Sequence, residues 1–205
     1  MIDAILISLG DLAEIRAGYP FRGPVPLVEH GPVQVVQMRD ITPAAGVEWS
    51  GCVQTELENR KSPDWIVPGD VLFASRGNRY YAAHVESVPG PAVCGPHLFH
   101  IRLRPGAQVS PAFLAWQINQ PPLQNTLAKL AEGSSQLSIR RGVLESLPIA
   151  VASAKAQREI VAFAFSAEQE KAVYTALIHT RQKQLAALAD QLAHPITPKS
   201  RNHEH

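Results

Sequence analysis

The sequence predicts an α/β (α+β) domain followed by a long C-terminal coiled-coil helix. Three observations carry this reading. All 13 glycines, and 15 of the 17 prolines, lie within residues 1–150. Between Ser153 and His194 there is neither glycine nor proline, so nothing there breaks a helix. Along that stretch, apolar residues recur at alternating spacings of three and four. The expected division is a globular domain over residues 1–152, a helix over 153–194 and a disordered tail over 195–205.

Within the first part, residues 4–9 form a short apolar run that ends at Gly10-Asp11. Strands are expected at residues 33–38, at 70–74 after the turn Pro68-Gly69, and at 82–88 and 97–104, separated by Pro89-Gly90-Pro91. The last of these alternates, with His97, Phe99, Ile101 and Leu103 on one face and Leu98, His100, Arg102 and Arg104 on the other. Ser110 followed by Pro111 reads as an N-cap and first helical residue. That helix continues to Ile118 until Pro121-Pro122 interrupts it. A second short helix is expected over 123–132, capped by Gly133. A helical turn at 140–145 and an apolar exit at 147–151 complete the domain.

The helix that follows should be about 60 Å long. Its stripe is Ile160, Ala164, Ala167, Lys171, Tyr174, Ile178, Arg181, Leu185, Leu188 and Leu192, with eight of the ten apolar. This is coiled-coil grade and calls for a partner helix. Phe163, Val173 and Leu177 form a second apolar edge.

Charge and composition exclude several classes. Lys and Arg number 19 against 18 Asp and Glu, a formal net charge of +1, so bulk electrostatics cannot coat this protein with nucleic acid. Residues 1–150 carry 12 basic and 13 acidic side chains, and residues 151–205 carry 7 and 5. Cys52 and Cys94 are too few for a disulfide framework. No run approaches the ~18 apolar residues of a membrane span. The expectation is a soluble cytoplasmic protein with reduced thiols.

Catalytic patterns are incomplete. Gly18–Gly23 and Gly90–Gly95 have the glycine spacing of a phosphate-binding loop, but Pro follows each, not Lys and Ser or Thr. No Gly-x-Gly occurs. Asn119-Gln120-Pro121-Pro122 only approximates the Asn-Pro-Pro-aromatic motif of amino-methyltransferases. No lysine has an acidic residue two positions before it, as the restriction-nuclease pattern requires. Cys94, His97 and His100 are spaced like metal ligands, yet residues three apart on a strand face opposite ways, so structural histidines are expected and no metal. A stand-alone enzyme, a hydrolase for example, is disfavoured.

Two clusters remain. Ser75, Arg76, Gly77, Asn78, Arg79, Tyr80 and Tyr81 place donors and rings on a loop after a strand. There Arg can pair with guanine, Asn with adenine, and Tyr with a phosphate or base face. Gly133, Ser134, Ser135, Gln136, Leu137, Ser138, Ile139, Arg140 and Arg141 offer short polar side chains and backbone N–H groups suited to phosphate. Arg22 and Arg39, with His100, Arg102 and Arg104, are weaker candidates. For the first cluster a solvated loop is the commoner reading; for the second a capped turn is about as common as phosphate contact.

The order of the pieces resembles the specificity (S) subunit of type I restriction–modification systems, in a half-size form. The resembling stretches are Leu9-Gly-Asp-Leu-Ala-Glu-Ile-Arg-Ala-Gly18, Val36-Gln-Met-Arg-Asp-Ile41, Ile66-Val-Pro-Gly-Asp-Val-Leu-Phe-Ala-Ser-Arg-Gly77 and Pro96-His-Leu-Phe-His-Ile-Arg-Leu-Arg-Pro105. To these are added Pro111-Ala-Phe-Leu-Ala-Trp116, Gly133-Ser-Ser-Gln136, Leu144-Glu-Ser-Leu-Pro-Ile149 and the helix opening Gln157-Arg-Glu-Ile160.

The resemblance implies a target recognition domain reading one half of a split double-stranded DNA site, and a spacer helix docking DNA methyltransferase (M) and restriction (R) subunits. It implies no catalysis and no cofactor on this chain, since the partners carry the S-adenosylmethionine chemistry and the cutting. The usual subunit has two such domains and two helices. Here there is one of each, so the expectation is a homodimer through the C-terminal helix, on Ile160, Ala164, Ala167, Tyr174, Ile178, Leu185, Leu188 and Leu192. Its DNA site would be palindromic. A protein-interaction adaptor or decayed specificity subunit that does not read DNA is the alternative.

Overall fold

The computed structural model describes residues 3–57, 62–77, 79–133 and 137–193. In chain order the elements are β1 (Ala4–Ser8), α1 (Leu9–Leu12), β2 (Ala13–Ala17), β3 (Val33–Val36), β4 (Ile41–Thr42), β5 (Gly46–Val47), β6 (Val53–Thr55), β7 (Val71–Ala74), β8 (Tyr81–His84), β9 (Ala92–Cys94), β10 (Leu98–Leu103), α2 (Pro111–Ile118), α3 (Pro121–Leu130), α4 (Arg141–Glu145), β11 (Pro148–Ala152) and α5 (Ala154–Ala193). This is the mixed α/β domain with a long C-terminal helix that the composition predicts. The chain divides into two compact units between Ala164 and Phe165, part-way along α5.

The centre of the first unit is an antiparallel sheet in the order β2-β10-β7-β8. Ile101 lies opposite Val71 and Phe99 opposite Phe73, so side chains of like parity share a face. Both faces are covered. Val71, Phe73, Ala82 and Ile101 pack with residues of α2, α3, α4 and β11, among them Leu114, Ile118, Leu127, Leu144 and Ile149. Leu72, Ala74, Ala83 and Leu98 pack the other way, against Val36, Ile41, Ile66 and Cys94. That is why β7 is one unbroken buried run. Each fully buried Leu, Ile or Phe here contributes roughly 1.5–3 kcal/mol of transfer free energy.

Two amides on α2 and its C-terminal cap complete strand edges that have no further strand. Asn119 accepts from the Ala82 N–H (2.9 Å) and donates to the Ala82 carbonyl (2.8 Å). Gln117 does the same for Ala150, at 2.6 and 3.0 Å. Asn119 therefore has a structural task, unrelated to methyltransferase chemistry. Gly18 and Gly95, one from each phosphate-loop look-alike, also have one. A Cβ on Gly18 would sit 2.0 Å from the Gly95 carbonyl oxygen, so only glycine lets these backbones pass.

Some sequence expectations are corrected. Pro121 and Pro122 begin α3 rather than merely separating two helices, because proline is tolerated in the first turn where its missing N–H has no partner. Extended Ala131 ends α3, so Gly133 is not its cap. β1, β2, β4, β5, β6 and β9 are strands that local pattern did not reveal. The apolar run at residues 4–9 is β1 in large part, paired with β11 in register Ala4–Ala152 through Ser8–Pro148. The tail at 195–205 lies outside the described residues.

α5 begins where Ser153 accepts a hydrogen bond from the Ala156 N–H at 3.2 Å. Gln157 is its one fully buried residue. The Gln157 amide accepts from the Ser110 N–H (2.8 Å) and donates to the carbonyls of Gln108 (2.7 Å) and Ala152 (2.8 Å). Ile160 and Val161 pack on the domain core, which corrects the placing of Ile160 on the free stripe. From Phe165 to Ala193 every residue is exposed. No helix among the described residues is long and apolar enough to cross a membrane.

The Gln157→Leu variant should lose roughly 1–3 kcal/mol of stability, since it strands the buried Ala152 carbonyl and takes a partner from the part-buried Ser110 N–H and Gln108 carbonyl. Urea unfolding measures this, and a loss under about 0.5 kcal/mol would contradict the anchoring role.

Candidate nucleic-acid interface

The two polar clusters, about sixty residues apart in sequence, meet in space. After β7 the chain runs through Ser75 and Arg76 to Gly77, whose φ of +103° turns it back. The Ser75 N–H and hydroxyl both donate to the His97 carbonyl, at 3.0 and 2.8 Å. The Ile139 N–H donates to the Ser75 carbonyl at 2.8 Å, and Arg76 bridges Ser138 in antiparallel fashion. Glu132 and Ser138 exchange backbone hydrogen bonds of 3.0 and 2.9 Å. Asn78, Ser134, Ser135 and Gln136 lie outside the described residues.

Beside this junction is a groove of about 340 Å³, lined by Tyr19, Phe21, Arg76, His97, Phe99 and Ser138 among others. The Tyr19 and Phe21 rings lie 4.9 Å apart at 58°. The Tyr19 N–H donates to the Cys94 carbonyl at 2.7 Å. Among the described residues lining the groove, none is acidic. Phenol and phenyl faces, a guanidinium and an imidazole without carboxylates form a surface suited to a polyanion carrying flat bases.

The arginines divide by partner. Arg140 pairs with Glu132 at 2.7 Å and Arg141 with Glu145 at 2.7 Å. Arg39 is exposed on a 3-10 turn, 3.5 Å from Asp40. Arg22 and Arg79 are exposed. Arg76 is exposed too, and its Nη1 lies 3.5 Å from His97 Nε2. Among the described residues no carboxylate pairs with Arg22, Arg76 or Arg79.

Tyr80 and Tyr81 are corrected. Tyr80 is only 5% exposed and packs in the core, so its ring cannot stack on a base. The Tyr81 hydroxyl donates to the Met38 carbonyl at 2.7 Å, and its ring packs on the second core cluster. Tyrosine composition alone does not say which ring a loop spends on the core. Sequence reasoning missed Tyr19, Phe21 and His97. Their signals are the aromatic pair inside Gly18–Gly23 and the Gly95-Pro96 turn that throws His97 off the strand.

His100, Arg102 and Arg104 are structural. Asp70 is 1% exposed, with His100 Nε2 2.6 Å from its Oδ2. Arg102 makes two 2.8 Å hydrogen bonds to the same carboxylate and a third to the Trp65 carbonyl. Arg104 approaches the Gly10 carbonyl at 3.4 Å. His97 and His100 thus face different surroundings, because His97 stands in a left-handed turn just before β10 rather than on the strand. Among the described residues no group of His, Cys, Asp and Glu could hold a metal ion. Burial, with help from Asp40, pushes the Cys52 thiol up to about 12, and burial pushes Cys94 up as well.

Burial alone would raise the Asp70 carboxyl, but the hydrogen bonds from Arg102 and His100 win and hold it at about 2. A carboxyl depressed by folding stabilises the native state above its unfolded value near 4 and loses that stabilisation as pH falls toward 2. Asp70→Asn should therefore cost about 2 kcal/mol or more at neutral pH and flatten the fall in stability between pH 4 and 2. Parallel acid unfolding curves for the variant and the unaltered protein would refute the role given to Asp70.

No family model matches the sequence, and no curated protein matches it. Solved structures do match. One belongs to a type I R-M system whose complex assembly and conformational transition have been described. It has a TM-score of 0.62 and 18% identity, covering 90% of this chain and 43% of that one. The type I restriction–modification S subunit from M. genitalium gives 0.55 and 16%, with 93% and 46% covered. The HsdS subunit from Thermoanaerobacter tengcongensis gives 0.59 and 20%, with 92% and 44% covered. This chain spans less than half the length of each solved chain. It therefore carries the fold of a type I restriction–modification specificity subunit.

Proposed function

We propose that this protein is a non-catalytic, sequence-specific DNA-binding subunit of a type I restriction–modification system. Each chain reads one half-site of double-stranded DNA. The observation that supports this most is the meeting of the two polar clusters at a groove with no carboxylate among its described lining residues, on the fold of specificity subunits. Arg76 and Arg79 are the base readers, with Asn78 beside them in sequence. Ser134, Ser135, Gln136, Arg140 and Arg141 flank the backbone, and Arg22 and Arg39 are outlying cations. Residues 1–152 serve as the recognition domain and 153–194 as spacer.

The partners are a DNA methyltransferase subunit and a restriction subunit, docked along α5. A second copy of the chain pairs through α5 on Ala164, Ala167, Tyr174, Ile178, Leu185, Leu188 and Leu192. The fit is exposure: from Ala167 to Leu192 the row lies open to solvent. Two identical half-sites would then flank a fixed gap.

Methylome sequencing with and without the gene tests this reading. One methylated motif should disappear when the gene is removed. In cells carrying Arg76→Ala together with Arg79→Ala, that motif should relax or fade, in line with roughly 1–3 kcal/mol per lost bidentate base contact. An unchanged methylome would favour the adaptor reading and sink this one.

A further inference from the structure

Among the described residues only His30 and His97 are non-glycine residues with positive φ, and His97 stands at +69°. That conformation is uncommon for a side-chain-bearing residue and is held from outside. Both hydrogen bonds from Ser75 end on the His97 carbonyl. The imidazole is thereby set against the groove, with Nε2 3.5 Å from Arg76 Nη1. A guanidinium can only donate, so this contact is a hydrogen bond when the ring is neutral with its proton on Nδ1. One arm of the Arg76 fork is then engaged and the remaining donors are left for an outside acceptor. The other charged or titratable side chains lining the groove are Arg76 itself and Tyr19. Of these types only histidine ordinarily changes charge between pH 5 and 8. Burial and the nearby Arg76 charge both lower the His97 pKa from the ordinary histidine value.

We propose that His97 is the positioning residue for Arg76, a neutral acceptor that orients the guanidinium toward a base edge. Its protonation converts the groove from sequence-selective to sequence-indifferent binding of duplex DNA. This rests on the DNA-reading function above. Protonated His97 can no longer accept from Arg76 and repels it. The added positive charge also strengthens attraction to phosphates of any sequence. Acid should therefore tighten indifferent binding while eroding discrimination.

The test uses the full chain. Duplexes are selected from a random-sequence library at pH 8. Binding of the enriched duplex and of a shuffled duplex is then followed by fluorescence anisotropy at pH 8 and 5.5. The affinity ratio should fall by about tenfold on acidification, through both weaker selective and stronger indifferent binding. His97→Asn keeps a neutral acceptor and tolerates positive φ, so its ratio should be selective and flat with pH. His97→Gly keeps the backbone without the ring, so it should stay folded yet discriminate as poorly as Arg76→Ala at both pH values. A pH-independent ratio in the unaltered protein, or full discrimination by His97→Gly, overturns the proposal while leaving DNA reading intact. Failure to enrich any duplex overturns both.

Discussion

The forty residues of α5 bury one side chain completely, that of Gln157. A helix in water holds together through the surfaces it covers more than through its own propensity. Here the root is covered by the globular domain, by way of Gln157, Ile160 and Val161, and the remainder is open. Leu192 is 82% exposed, and Tyr174, Ile178, Leu185 and Leu188 share its condition. An apolar row of that length on a folded protein needs a cover. A second copy lying alongside would supply one, and this constraint connects the helix to the number of DNA half-sites in the proposed function.

The charge distribution follows a related economy. Nineteen basic side chains nearly balance eighteen acidic ones, and much of that balance is local. Arg16 is tied to Glu14 and Asp64, Arg102 to Asp70, Arg140 to Glu132 and Arg141 to Glu145. The near-neutral total therefore does not describe the groove, where Arg76 meets an imidazole and aromatic rings. In the proposed function a protein of this charge would contribute selective contacts, and the bulk of the field around a duplex would fall to its partners.

The long helix was legible because its signals are local: no glycine, no proline and a sustained apolar period. β10 was legible because alternation survives where one face is apolar. β1 was not, since its identity as a strand comes from β11, at the other end of the domain. Of the site, Arg76 was legible as a loop cation after a buried strand. The burial of Tyr80 was not, because it depends on packing against helices that follow much later in the chain. His97 was taken with His100 as structural. The left-handed turn that separates them is a backbone feature that strand alternation does not express.

Pairing through α5 is the claim on which the half-size reading stands. Sedimentation equilibrium of the full chain measures it most directly. The account predicts a mass of twice 22.3 kDa that reverts toward the single-chain value when Ile178, Leu185 and Leu188 are replaced by Glu. A single-chain mass for the unaltered protein at high concentration would contradict it.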